Sequence, residues 1–198
     1  MCDNGSRARV VIDGVDCMAQ EVSPFDSDRC SHKMKTSAQR WQVASCIQTG
    51  WPVDVDGPYK AGPWMDIQIF RNRLMHMLDD GEYIVGDRGY QDGFQFCITK
   101  NCEDEELQEM VKKVCAHHET INARLKSFKI LSTPYRNGDI RHGVTFKAIM
   151  NLVALQIQSE PQHTYQVHYN DFGLLLGDAE LVAPDSDADV EDIMIVFD

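Results

Sequence analysis

A chain of 198 residues with 43% hydrophobic content can bury one sizeable core and suits one domain better than two. Its first nine residues are polar, and its least polar run, Ala148 to Ile157, holds Asn151 and Gln156 and is far shorter than a bilayer span. A soluble, non-secreted, intracellular protein is therefore expected. The net charge of -12 argues against a uniformly basic nucleic-acid binder, and seven cysteines with no CxxC pair argue for reduced thiols.

In chain order, Arg9 to Asp13 is an apolar run that reads as a buried strand closed by an IDG turn, followed by a Ser-, Asp- and Pro-rich loop, Glu21 to Ser31. Trp41 to Ile47 alternates as a strand, and Trp51 to Val55 follows across Thr49-Gly50, so the pair predicts a hairpin. Gly57-Pro58 and Gly62-Pro63 read as turns. Ile67, Phe70, Leu74 and Met77 sit at helical spacing and predict a helix over Asp66 to Met77. Tyr83 to Asp87 is a second strand ending in GDRGY, and Phe94 to Ile98 is a short third candidate. Leu107, Val111, Val114, Ile121, Leu125 and Phe128 then mark one amphipathic helix from Glu103 to about Phe128, its leading acids matched to the helix dipole. A Pro- and Gly-containing loop, Leu131 to Arg141, precedes a last amphipathic helix over His142 to Gln158.

The charge is unevenly spread. From Asn170 onward there are nine acids and no Lys or Arg, and the remaining 22 acids face 19 bases. This sets off an acidic tail, 170–198, from a nearly neutral body, 1–169. Arg29 to Arg40 carries four bases and no acid, and Arg124 to Lys147 carries six bases against Asp139 alone, so the body has local basic surfaces. Solvated loops and helix faces explain these runs equally well. The tail's last apolar residues, Ile193 to Phe197, are suited to docking.

On the long helix, Glu119, Asn122 and Lys126 share a face beside the buried stripe. Such pairs are common on ordinary solvated helices. Their company changes the reading: Asp13 and Asp87 each follow an apolar strand, where open α/β sheets place ligands, and three carboxylates so arranged suit divalent cations. Asp16, three residues after Asp13, points to the other strand face and is expected to be a turn or supporting residue. Asp54 and Asp56 read as hairpin-exit residues and Asp66 as a helix N-cap. Cys97, Cys102 and Cys115 with His117 or His118 match no familiar zinc spacing, so buried or incidental thiols and surface histidines without a task are expected. No P-loop, G-x-S-x-G or HExxH pattern is present.

VIDGVDCMAQEVSPF, SHKMK, the stretch Val43 to Pro58, GPWMDIQIFR, VGDRGYQDG, HHETINARLKSFKIL and HGVTFKAIMNLV, in that order from Val10 to about Asn170, resemble the blocks of a DDE-superfamily endonuclease domain. This is the transposase group of PIF/Harbinger elements and related bacterial insertion sequences. The resemblance implies a ribonuclease-H-like α/β fold, a mixed central sheet flanked by helices. It implies that Asp13, Asp87 and Glu119 are catalytic and hold two Mg²⁺ or Mn²⁺ ions, Asp13 bridging both. It implies cleavage of phosphodiester bonds at transposable-element ends, with DNA as partner. Lys126 matches a Glu-x6-Lys pattern whose Lys contacts DNA. Arg88, beside the second aspartate, could reach a phosphate, and Arg124 and Lys129 add basic groups to the same DNA-binding set. The arginine that many relatives carry before the Glu is replaced by Ala116, His117 and His118. The chain starts near its first strand, so the expectation is either a separate DNA-binding protein that supplies end recognition or a fragment of a longer transposase, and a homo-oligomer is compatible with the resemblance. A nuclear location follows if the source is eukaryotic, and a cytoplasmic one otherwise. The alternative is a domesticated, non-catalytic DNA- or protein-binding relic.

Overall fold

The computed structural model describes residues 8–93 and 95–160. The acidic tail 170–198, its apolar end and the expected 169/170 boundary lie outside the described residues. Five strands form one mixed sheet in the order β3-β2-β1-β4-β5: β1 (Ala8–Met18), β2 (Ala38–Cys46), β3 (Pro52–Lys60), β4 (Tyr83–Val85) and β5 (Cys97–Ile98). The first three are antiparallel neighbours, whereas β4 pairs parallel to β1 and β5 parallel to β4. The helices are α1 (Asp66–Asn72), α2 (Glu105–Ser127), α3 (Lys129–Ser132) and α4 (Asp139–Ser159). The chain is thus α/β, with helices packed on both faces of the sheet.

Strand alternation decides which helix covers which face. Val15, Cys17 and Val43 pack with Ile121 and Leu125 of α2 and Phe146 and Val153 of α4. Ile12, Ala44 and Ile84, one residue out of phase, pack with Phe70 of α1 and Leu74. Trp41 is fully buried and stacks on Phe146 with ring centroids 4.2 Å apart and planes 3° apart, joining β2 to α4.

The expected hairpin and the long helix are present, with differences that have local causes. β1 does not stop at Asp13 but runs on to Met18, because β2 pairs with it continuously from Val10↔Cys46 to Met18↔Ala38. Gly57-Pro58 lies inside β3 rather than in a turn, near the register shift between Arg40 and Gln42. The helix expected over Asp66 to Met77 breaks at Arg73, whose φ of -140° ends α1, and Leu74–Met77 continues as a 3-10 turn. Arg73 leaves the helix to bind Asp54, at 2.9 Å, and to approach Asp56, so these two acids are ion-pair partners rather than loop residues. α2 is capped by Asp104, whose side chain accepts from the Leu107 N–H at 3.0 Å. Part of the loop expected after Leu131 is helical. α4 begins at Asp139 behind Gly138, whose φ of +77° suits glycine. Among the described residues no helix is long and apolar enough to cross a membrane.

Outside the core, α4 carries Ile140, Val144, Leu152 and Leu155 exposed on its far side. Phe146→Ala should lower unfolding free energy by roughly 3–5 kcal/mol, since it empties a fully buried aromatic site. Leu155→Ala should stay within about 0.5 kcal/mol of the parent. Urea denaturation of the two variants beside the parent measures both, and a small Phe146 effect would contradict the packing described.

Candidate functional site

The parallel junction of β1 and β4 builds the site. Val11 pairs with Val85, and Asp13 and Asp87 each stand two residues further along, so both leave the sheet at the same level and toward α2. The Gly86 N–H still donates to the Ile98 carbonyl at 3.1 Å, which keeps the chain extended to the edge of Asp87. Beyond that, β4 stops while β1 continues with β2, leaving Asp13 beside an open step in the sheet.

Asp13 is held from two directions. Its Oδ1 accepts from the Gly14 N–H at 2.7 Å, and its Oδ2 accepts from Asn122 Nδ2 of α2 at 2.6 Å. Glu119 lies one helical turn before Asn122 and on the same side of α2, so the hydrogen bond that ties the helix to β1 also brings Glu119 to Asp13. Burial, and then the charges of Asp87, Glu119 and Asp66, raise the Asp13 pKa from 3.8 to about 7, against the lowering effect of the Gly14 N–H. The three carboxylates expected from the sequence therefore face one region. They are not drawn together to ligating spacing: among the described residues no group of three His, Cys, Asp or Glu is set to hold a metal ion. Asp87 and Glu119 are exposed, and Asp87 accepts from the Gly89 N–H at 2.7 Å.

Several neighbours differ from expectation. Asp66 is not the N-cap of α1; Met65 takes that position, and its N–H is satisfied by Gln68 Oε1 at 2.9 Å. The Asp66 carboxylate instead lies over Gly14, where a Cβ would stand 2.3 Å from Oδ1. Burial, opposed by Arg40 and reinforced by Asp87, raises its pKa. Asp16 points to the α1 side, as strand alternation requires, and is buried in a two-pronged pair with Arg40 at 2.7 and 3.0 Å. Burial alone would raise its pKa, but the bonds from Arg40 and Ser31 hold it below the usual carboxylate range. Tyr90 is fully buried beside the cluster, and burial with the charges of Asp66, Asp13 and Asp87 keeps its phenol protonated.

His117 and His118 are not surface residues; both are buried. His118 Nδ1 lies 2.7 Å from Ser45 Oγ, and burial, with His117 beside it, lowers its pKa to about 3, so it is neutral. Cys97 packs in the core on the α1 side, while Cys102 and Cys115 pack against the α2-side core, so the sheet separates them.

Of the basic residues, Lys126 lies two turns after Glu119 on the same face of α2, near enough to Cys17 for its charge to be felt there. Arg88 is exposed in the short turn directly after Asp87. Arg124 points to another side of α2, and Lys129 is exposed at the start of α3, past the break at Phe128. A cleft of about 450 Å³ lined by Arg29, Tyr135, Arg136 and Asp139 lies elsewhere and includes none of the three carboxylates. Asp66, Asn122, Arg40 and Tyr90 were not assigned to the site from sequence; only Asn122, on the Glu119 face, carried a usable signal. No family model, curated protein or solved structure matches the chain.

The Asp13 shift has a defined sign. The folded protein keeps this carboxyl protonated up to about pH 7 while the unfolded chain ionises it near 3.8. Its contribution to stability is therefore complete below about pH 4 and lost as pH rises through about 7. Without divalent cations, wild-type stability should fall over that window by on the order of 2–4 kcal/mol more than that of Asp13→Asn. Urea midpoints measured in EDTA across the window test this, and parallel curves for the two proteins would refute the assignment.

Proposed function

We propose that the chain is a metal-dependent DNA endonuclease of the DDE transposase type, built on a ribonuclease-H-like fold. The carrying observation is the equal offset of Asp13 and Asp87 from the Val11–Val85 pair, with Glu119 brought alongside through the Asn122–Asp13 hydrogen bond. The strand order β3-β2-β1-β4-β5, with three antiparallel neighbours followed by parallel ones, supports the fold reading.

The donor type suits hard divalent cations, which would have to draw the three carboxylates closer together than they stand. The set is all carboxylate, one member, the half-buried Asp13, has a pKa raised by desolvation and then by neighbouring like charges, and a neighbouring carboxylate oxygen, Asp66 Oδ1, is buried without a hydrogen-bond partner. Asp13, Asp87 and Glu119 would hold Mg²⁺ or Mn²⁺, which when bound supplies Lewis-acid activation of a water or hydroxyl and neutralises the departing oxyanion. The chain's own residues do the positioning. The Gly14 N–H and Asn122 fix the Asp13 carboxylate, and the N–H of Gly89 fixes Asp87. Lys126, on the Glu119 face, and Arg88, beside Asp87, would take phosphates on the two sides of the scissile bond. Exposure of Asp87 and Glu119 suits a long polymer laid across the surface, whereas a small metabolite would need an enclosing pocket. Transposable-element ends are the proposed substrate, and nuclear residence goes with that reading in a eukaryote.

With supercoiled plasmid and MgCl2 or MnCl2, the protein should produce nicked circles, and Asp87→Asn should lower the rate by at least about a hundredfold. Equal nicking by both proteins, or none with either cation, overturns the catalytic reading; DNA binding without nicking would favour a non-catalytic relic. Lys126→Ala should weaken DNA binding and reduce the slope of log affinity against log salt by about 1, read by fluorescence anisotropy.

A further inference from the structure

Asp66 lacks the local task its position suggests. It opens α1, yet the cap is Met65, and the Asp66 carboxylate turns back onto the sheet from the face opposite α2. There it is cradled by two glycines. A Cβ on Gly14 would stand 2.3 Å from Asp66 Oδ1, and one on Gly89 would stand 3.1 Å from Asp66 Oδ2 and 3.0 Å from Asp87 Oδ1. Gly14 directly follows Asp13 and Gly89 comes two residues after Asp87, so the carboxylate lodges between the two aspartate-bearing segments.

No hydrogen bond in the fold satisfies it. Asp66 Oδ1 is buried and accepts no hydrogen bond. The nearby cation, Arg40 Nη1, is 3.8 Å away, and its guanidinium is already engaged by Asp16 and by the Trp64 carbonyl at 2.7 Å. A second orphan lies across the sheet. Asn122 is only 5% exposed, and while its Nδ2 binds Asp13, its Oδ1 has no partner. Two buried acceptor oxygens, reaching the Asp13 region from opposite faces and lacking donors, are what a bound cation and its water shell would satisfy.

The geometry points to Asp66 as a fourth carboxylate of this site, contributing its unpartnered Oδ1 to a divalent cation, Mg²⁺ or Mn²⁺, shared with Asp87 from the α1 side. The assignment rests on the nuclease reading above and extends it. It also explains why position 14 holds glycine: any side chain there would push the Asp66 carboxylate out of the step.

The test titrates MnCl2 into the full-length protein by calorimetry and follows thermal unfolding with and without MnCl2, for wild type, Asp66→Asn, Gly14→Ala and Asp13→Asn. Asp66→Asn and Gly14→Ala should each weaken Mn²⁺ binding roughly ten- to hundredfold and shrink the Mn²⁺-induced rise in Tm. Without metal, Asp66→Asn should melt at or above wild type, because a like charge has left the cluster. Asp66→Asn with Mn²⁺ affinity within twofold of wild type overturns the assignment, whether or not its metal-free Tm has dropped. Loss of binding in Asp13→Asn alone removes Asp66 from the site and leaves the nuclease reading intact, whereas no binding by wild type removes both.

Discussion

Everything at the candidate site depends on how one carboxylate is held. Asp13 sits in the middle of a strand, yet both of its oxygens are engaged, one by its own strand at Gly14 and one by Asn122 across the helix–sheet interface. A part-buried, directional hydrogen bond of this kind sets the depth and rotation of α2 against β1 more sharply than apolar packing, which tolerates sliding. Ile121 and Leu125 drive α2 onto the sheet, and Asn122 fixes its register. The position of Glu119 follows from that register.

The two faces of β1 handle charge differently. On the α1 side, Asp16 is neutralised by Arg40 and accepts from Ser31. On the α2 side, Asp13 meets only neutral donors, and the nearest charges are other carboxylates. Alternation along one strand therefore places a neutralised acid and an uncompensated acid three residues apart. Ionising a half-buried carboxyl that faces like charges without a counter-ion costs stability, and such a cost is common at sites shaped for a ligand rather than for the fold.

Much of the architecture was legible because it is written in periodicity. The hairpin β2–β3, the span of α2 and the strand leading to Asp87 follow from alternation, helical spacing and turn residues. The missed features are those that depend on partners distant in sequence. Gly14 and Asp16 look like a turn until β2 is laid alongside them, and only that pairing shows the strand continuing. Asp66 before a helix has a sufficient local explanation as a cap, so nothing in the sequence directs attention to the glycines beneath it. His117 and His118 occur in a charged stretch, yet helical phase turns both inward, His118 toward Ser45. Asp13, Asp87 and Glu119 were singled out from the ends of two apolar runs and one helix face; only Asp87 proves to follow a strand end, Asp13 lying within β1, and the support of Asp13 by Asn122 needed the fold.

The contact between His118 and Ser45 bears on how such a site could adapt to its substrate. Because His118 stays neutral and pinned to β2, and Asn122 is pinned to β1, Glu119 is bracketed on α2 by two anchors within a single turn and its neighbour. Asp87 has no equivalent: it follows a three-residue strand, and its hydrogen bond is to its own short turn. The candidate site thus has a fixed jaw and a lightly mounted one, and any adjustment to a bound ligand would be the work of the Asp87 turn.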